Sequence, residues 1–421
     1  MLSVRFWPVI SGNAVMTELL FLAHRIPYPP NKGDKIRSWN ILKHLAEHHT
    51  IHLGCFIDDP EDEQYRAVLE EICESCHFAP LNPRLAKILS LTELLRGAPL
   101  SLGYFRNKAL AQWCAALRQD RQIDRIFVFS SSMAQYVDRS VFGAEKCVVD
   151  FVDVDSDKWR QYAEAKQGPT RWIYARESRT LLDYERRTSA ASDASLFVSA
   201  AEAALFQRLS PETADKVFAV DNGVDLDFFD PGKAFDSPFS AAPADAPHLV
   251  FTGAMDYWAN VDAVSWFVRN VFPGVRARRP DAIFWIVGAK PTADVIALGQ
   301  TDGVVVTGRV ADIRPYVAHA TVVVAPLRLA RGIQNKVLEA MAMAKPVVGT
   351  PEALEGIDAA PGSEFYSESE AERFADRVVS VISDPARGEI GIKARKCVEK
   401  RYGWQATLTR LNTILEDGDL G

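Results

Sequence analysis

The chain reads as an α/β protein of two doubly wound parallel-sheet domains. Three observations predict this. Short apolar runs bounded by loops recur through both halves, and helix-compatible segments separate them. A stretch rich in Pro, Ala and Asp with little periodicity, residues 230–247, divides the series in two. Strands buried on both faces read as continuous apolar runs and need a crossover helix between them, which is the pattern of a parallel sheet. The length agrees, since 421 residues exceed what a single compact core accommodates.

Taken in order, ELLFLAH (18–24) is the first strand. DKIRSWNILKHLAEHH (34–49) is an amphipathic helix with Ile36, Trp39, Leu42 and Leu45 on one side. TIHLGCFI (50–57), RIFVFS (125–130), KCVVDFVD (146–153), ASLFVS (194–199) and KVFAVDNG (216–223) are the strands that follow. Helical segments lie between them, including the long charged TRWIYARESRTLLDYERRTSAA (170–191). After the linker come HLVFTGAM (248–255), AIFWIVGA (282–289), VVVTGRV (304–310), TVVVAPL (321–327) and KPVVGT (345–350). The expected domains are therefore 16–229 and 248–400, joined by 230–247. A C-terminal segment, 401–421, carries a last helix expected to pack back on the first domain. Residues 1–15 read as an extension ahead of the first strand.

The composition excludes several classes. A net charge of −7 and a pI near 5.7 speak against general nucleic-acid affinity, because phosphate backbones reward a basic surface. No apolar run approaches the ~18–20 residues needed to span a bilayer. The N-terminal apolar stretch is broken by Pro8, Ser11, Gly12 and Asn13 and lacks the build of a signal peptide. Cys73, Cys76 and His77 match the C-x-x-C-H of haem attachment, but EQYRAVLEEICESC reads more simply as a helix with partly buried thiols. No second pair completes a zinc set, so neither a metal nor a bound cofactor is expected. Free thiols fit a reducing cytoplasm.

The chemistry concentrates in RGIQNKVLEAMAMAKPVVGT (331–350). A helix is expected from about Ile333 to Ala344, with its free N–H groups offering an anion site. Lys336 adds a full charge in the first turn, and Glu339 stacks three residues on, a carboxylate suited to ribose hydroxyls. A solvated surface pair is the alternative. It fits poorly with a helix that is apolar nearly all round. Ligands of doubly wound sheets sit at the carboxyl ends of the strands, and a cleft between two such sheets is expected to hold them.

The segment GIQNKVLEAMAMAKPVV (332–348) resembles the donor-site helix of GT-B glycosyltransferases, close to LEAMAxGxPVV of family 4. VFAVDNGVDLDFFDP (217–231), LFVSAAEAALF (196–206), LVFTGAMDYWANVDAVSWF (249–267), VTGRVADIRPYVAHATVVVAPL (306–327) and PYPPNKGDKIRSWNILKHLA resemble further elements of that family, in the family's order. The likeness runs from about residue 17 onward and is nearest to bacterial sugar transferases of PEP-CTERM/exosortase-associated exopolysaccharide systems. It implies an acceptor-side first domain and a nucleotide-sugar-binding second domain. It implies donor contacts at Gly33, Gly253, Gly308, Arg309, Arg331, Gly332, Ile333, Lys336 and Glu339, with Glu339 on ribose and Lys336 on the diphosphate. Three departures stand out. Arg331 occupies the position of a first Glu; Ala254 and Asn260 stand near the usual Arg and Lys; and FVFSSS (127–132) lacks the usual His. Arg331, Arg328 or Arg309 is then expected to help meet the diphosphate charge.

The resemblance implies a metal-independent, retaining transfer from an NDP-sugar to a saccharide acceptor, lipid-linked, in exopolysaccharide biosynthesis. Charge growing on the departing phosphate would be met by Lys336 and helix N–H groups. Asp153 and Asp155 could bind acceptor hydroxyls, act as base, hold a metal, or simply cap the loop. The expected location is cytoplasmic, with peripheral contact at the inner face of the plasma membrane through Trp172 and Tyr174 as one option. Two alternatives share the fold: a sugar-nucleotide epimerase and a non-catalytic sugar-nucleotide binder. A nicotinamide oxidoreductase would need a G-x-G-x-x-G after the first strand, where HRIPYPPNKGDK stands.

Overall fold

A computed structural model describes residues 16–417 apart from 31, 139–141, 144, 165, 241, 242, 244, 331 and 332. The extension 1–15 and the expected donor contacts Arg331 and Gly332 lie outside the described residues.

The first sheet comprises β1 (Thr17–Ala23), β2 (His49–Ile57), β3 (Ser75–Pro80), β4 (Arg125–Phe129), β5 (Lys146–Val152), β6 (Ala194–Phe197) and β7 (Val217–Ala219). Its order is β3-β2-β1-β4-β5-β6-β7. The second comprises β8 (His248–Thr252), β9 (Ile283–Val287), β10 (Val304–Gly308), β11 (Val322–Ala325), β12 (Val347–Gly349) and β13 (Tyr366–Ser367), in the order β10-β9-β8-β11-β12-β13. Strands β1 and β8 each pair in parallel with neighbours on both sides, β2 and β4 in one case, β9 and β11 in the other. The strand order therefore reverses beside β1 and beside β8, and such switch points open a crevice at the strands' carboxyl ends.

By contacts the chain divides into two compact units, Met1–Asp150 with Asp155–Ala194, and Phe151–Val154 with Ser195–Gly421. Burial drives each. Leu19 to Ala23 of β1 are wholly inaccessible, and Phe21 stacks on Phe127 of β4 at 5.2 Å. In the second unit Phe267 packs against Phe284 at 4.6 Å and Phe374 at 5.8 Å, part of a continuous aliphatic and aromatic core. In the same unit Val224, from the NGVD element, donates its N–H to Tyr402 O at 2.7 Å, just ahead of the helix Trp404–Asp417.

Local departures from the sequence reading have tertiary causes. The first helix runs Gly33–Ala46 and stops short of His49, which opens β2. Its buried face is Lys35, Arg37, Ser38, Ile41, Leu42 and Leu45, so Ile36 and Trp39 are only half-buried. The expected helix over EQYRAVLEEICESC ends at Glu70. Cys76 and His77 instead join β3, where Ser75 Oγ lies 2.7 Å from His52 Nδ1 and the backbone pairs with β2. Pairing with a neighbouring strand overrode a local helical pattern. Among the described residues no helix is long and apolar enough to cross a membrane.

Candidate functional site

Three consecutive strands of the second sheet end in glycine: VFTG, WIVG and VVTG. Gly253 follows β8, Gly288 follows β9 and Gly308 closes β10. Gly253 N donates to Val287 O at 3.0 Å, and Gly288 N to Gly308 O at 3.2 Å. A Cβ on Gly288 would lie 1.7 Å from Gly253 O, so only glycine lets these strand ends close. A Cβ on Gly253 would meet Asn260 Nδ2 at 2.7 Å and Lys336 Nζ at 3.4 Å. Above Gly308, at φ 69°, the space is open. The result is a bare backbone shelf at the sheet's carboxyl edge.

Lys336 stands over that shelf from the helix Asn335–Ala342, which follows β11. The helix begins two residues later than its sequence suggests. Ile333 is 6% exposed and packs into the core beside Gly356, so its side chain serves folding. Asn335 accepts a hydrogen bond from Asn222 at 3.4 Å, which ties the NGVD element to the helix start. Lys336 Nζ donates to Asn260 Oδ1 at 2.6 Å and lies 4.7 Å from the Phe251 ring centre. Asn260 Nδ2 in turn donates to Ala254 O at 2.8 Å, so one buried amide locks the Gly253 loop to the lysine.

Glu339 lies one turn along the same helix, half-buried. Among the described residues its carboxylate has no hydrogen-bond or ion-pair partner. Burial pushes it up to about 7 against the pull of Lys336. Burial likewise brings the Lys336 ammonium down to about 8, opposed by Glu339. Among the described residues a neutral amide is the partner of the cation and the carboxylate has none, an arrangement that a ligand with anionic and hydroxyl groups would complete.

The other expected contacts fall as follows. Arg309 is exposed just after β10. Arg328 is bound to Asp262 at 3.1 Å and lies 5.9 Å from the Trp266 ring centre. Gly33 opens the first helix with free space about its Cα. Asp153 follows Val152, which is held at φ 68°. Asp155 opens the helix Asp155–Glu164 and pairs with Lys158 at 3.1 Å. Behind that helix start, Glu185 accepts from Ser156 N at 3.2 Å and Ser156 Oγ at 2.5 Å, and burial pushes its carboxyl up to about 8. Among the described residues one group of metal-ligand types gathers, His44, Glu47 and His48, with one atom each mutually within 4.8 Å. It includes neither Asp153 nor Asp155.

Sequence reasoning missed a second cluster, at the carboxyl edge of the first sheet. His24 follows β1, and its ring stacks on Phe129 at the end of β4, centres 5.7 Å apart. His24 Nε2 lies 3.4 Å from Asp34 Oδ2, while its buried Nδ1 has no partner among the described residues. Arg25 grips Asp58 through Nε at 3.0 Å to both oxygens and also pairs with Asp34. Burial raises Asp34, but the hydrogen bond from His24 and the charge of Arg25 win and hold it well below the usual carboxylate range. The glycine-ended strands were a legible signal for the shelf; nothing local announces that His24 meets Phe129.

Comparisons with known proteins agree with this fold. Residues 246–384 match the family described as glycosyl transferases group 1. Among solved structures, Anabaena HepE in complex with UDP and glucose superposes with a TM-score of 0.65 at 16% identity, over 95% of this chain and 100% of that one. Sucrose-phosphate synthase from Thermosynechococcus elongatus matches with a TM-score of 0.66 at 16% identity, over 94% and 98%. WaaG, a glycosyltransferase involved in lipopolysaccharide biosynthesis, matches at 0.63 and 14%, over 95% and 100%. A search of curated proteins finds no match. The two parallel-sheet units have the GT-B fold, and the match to glycosyl transferases group 1 falls within the second.

Proposed function

We propose that this chain is a glycosyltransferase that moves a sugar from a nucleoside-diphosphate sugar to a saccharide acceptor. One observation carries the reading: on the glycine shelf of the region that matches glycosyl transferases group 1, Lys336 stands one turn from Glu339, whose carboxylate has no partner among the described residues. In this reading Glu339 accepts the ribose hydroxyls. Lys336 and the first N–H groups of its helix take the diphosphate, meeting the negative charge that grows on the leaving oxygen as the anomeric carbon gains cationic character. Asn260 holds the ammonium in place before the donor arrives, so little reorganisation is needed during reaction. Arg309, Arg331 and Gly332 complete the donor side, and Asp153 or Asp155 receives the acceptor hydroxyl.

The finer reading is a metal-independent, retaining transfer to a lipid-linked acceptor, in exopolysaccharide synthesis of the PEP-CTERM type, at the inner membrane face. Its support is the family resemblance together with a cationic donor site that supplies charge without a metal. HepE binds UDP and glucose, which makes UDP-glucose the first donor to try.

The test is a panel of UDP-, GDP-, dTDP- and ADP-sugars scored by thermal shift and then by sugar release. Lys336→Ala should lower turnover at least about a hundredfold, the cost of losing one charge-stabilising donor, with the fold intact. Undiminished turnover in that variant would remove the lysine from the mechanism. Activity should also persist in EDTA; strict loss on chelation would reassign Asp153 and Asp155 to a metal.

A further inference from the structure

The helix Pro83–Ser90 is built inside out. Its buried residues are Ala86 and Ser90, while Leu85, Ile88 and Leu89, at helical spacing on one face, are 53%, 65% and 54% exposed. The apolar surface continues into the next turn, where Leu91 is 48% and Leu95 is 93% exposed. Large exposed aliphatic side chains this close together mark an interaction surface, because water penalises each of them. A neighbouring helix adds an aromatic. Trp172 of Pro169–Ala191 is 59% exposed. One turn on, Arg176 donates to Glu93 O at 3.1 Å and Ala98 O at 3.2 Å, which ties that helix face to the 93–98 turn. Tyr174, by contrast, is half-buried and packs against Trp159 at 5.1 Å.

Charge identifies what covers this face. Arg84 and Lys87 lie exposed on the same short helix and have no carboxylate partner among the described residues. The acid of the segment, Glu93, is buried and neutralised by Arg96 at 3.0 Å and Arg106 at 3.2 Å. The patch is thus apolar with a basic rim on a chain whose net charge is −7. An amphipathic surface with lysine and arginine beside leucine and tryptophan suits the interface of an anionic bilayer, where apolar side chains sink to the acyl boundary and cations meet headgroups.

We propose that residues 83–96, with Trp172, dock this protein on an anionic lipid surface. The proposal deepens the lipid-linked acceptor reading and rests on it for its purpose, but vesicle binding tests it without any catalysis. The full chain should co-sediment with vesicles of equal parts phosphatidylglycerol and phosphatidylcholine, and weakly with phosphatidylcholine alone. Leu85→Glu with Ile88→Glu and Leu89→Glu should lower the partition at least about tenfold, and Arg84→Glu with Lys87→Glu should erase the preference for phosphatidylglycerol. Both variants alter exposed side chains, so unchanged thermal stability and unchanged donor cleavage are expected and are to be measured alongside. A wild-type chain that stays in the supernatant overturns the proposal. So does equal vesicle binding by the triple variant, or a dimer in sedimentation that the triple variant abolishes, which would make a second copy the occupant. Vesicle binding without cleavage of any nucleotide-sugar would leave the docking surface standing and sink the transferase reading instead.

Discussion

At the carboxyl edge of the first sheet, Arg25 is held by Asp34 and Asp58, Lys35 by Asp62 at 2.6 Å, and Arg37 by Asp150 at 2.7 Å. At the same edge of the second sheet, Lys336 meets the neutral amide of Asn260, and the Glu339 carboxylate meets no partner among the described residues. Both places put charge where water is scarce. In the first, carboxylates neutralise the cations, and the charges fix one conformation of the loop and helix. In the second, charge is left half-satisfied, which costs stability unless a ligand completes it. Matched charge therefore points to architecture here, and unmatched charge to binding.

The contrast can be broken experimentally. Its largest expected effect lies in the matched half. Arg37 and Asp150 are wholly buried, so Asp150→Ala should cost about 3–5 kcal/mol of unfolding free energy, the penalty for removing one partner of a buried pair. Denaturant unfolding reads this directly, and a loss below about 1 kcal/mol, the range of exposed pairs, would show that the pair is not what fixes the helix.

In the unmatched half the sign reverses. Glu339→Gln should leave the unliganded protein as stable or more stable, yet weaken donor binding by about 1.5–3 kcal/mol, the worth of hydrogen bonds to a charged group. The pH dependence follows from the two shifted groups. Glu339 is raised from 4.5 to about 7, so between those values the folded state holds a proton that the unfolded chain has released. Stability from this group is present below pH 4.5 and declines as pH rises through about 7. Lys336 is lowered from 10.5 to about 8, so above pH 8 the unfolded chain keeps a proton that the folded state has lost, and its contribution rises again. Catalysis wants the opposite forms, an ionised Glu339 and a charged Lys336. The kcat/KM profile should therefore form a narrow bell between about 7 and 8, and Glu339→Gln should abolish its acid limb. A flat profile through this range would detach both groups from the chemistry.

The smallest effect is expected at Arg328. Its pair with Asp262 is exposed, so Arg328→Ala should change stability by no more than about 1 kcal/mol and leave donor binding alone. A large loss of donor affinity would restore this arginine to the diphosphate.

Much of this arrangement was legible residue by residue. LLFLA, VVVA and IFWIV announce buried parallel strands by composition, and the structure places β1, β11 and β9 there. Lys336 and Glu339 stood out because charges on an apolar helix demand a reason, and the structure sets both on the helix Asn335–Ala342. The strand SCHFAP was not, since its half-buried edge position leaves a mixed pattern that resembles a helix end. The helix start at Asn335 was misjudged because Ile333 belongs to the core, and no neighbour in sequence says so. Arg37 and Asp150 are 113 positions apart, and their pairing leaves no local trace.

By itself, then, the sequence determined the alternation of strands and helices, the glycines that end β8, β9 and β10, and the two charges on the helix Asn335–Ala342. Periodicity and residue type act over a few neighbours, and those features need nothing further. Only the tertiary structure decided which charges meet an opposite charge and which do not among the described residues, and that Leu85, Ile88 and Leu89 face outward instead of in. Both depend on what lies across space. A helix's apolar stripe is the same in sequence whether it meets a core or a bilayer, and a carboxylate is the same whether its partner stands opposite or has yet to arrive.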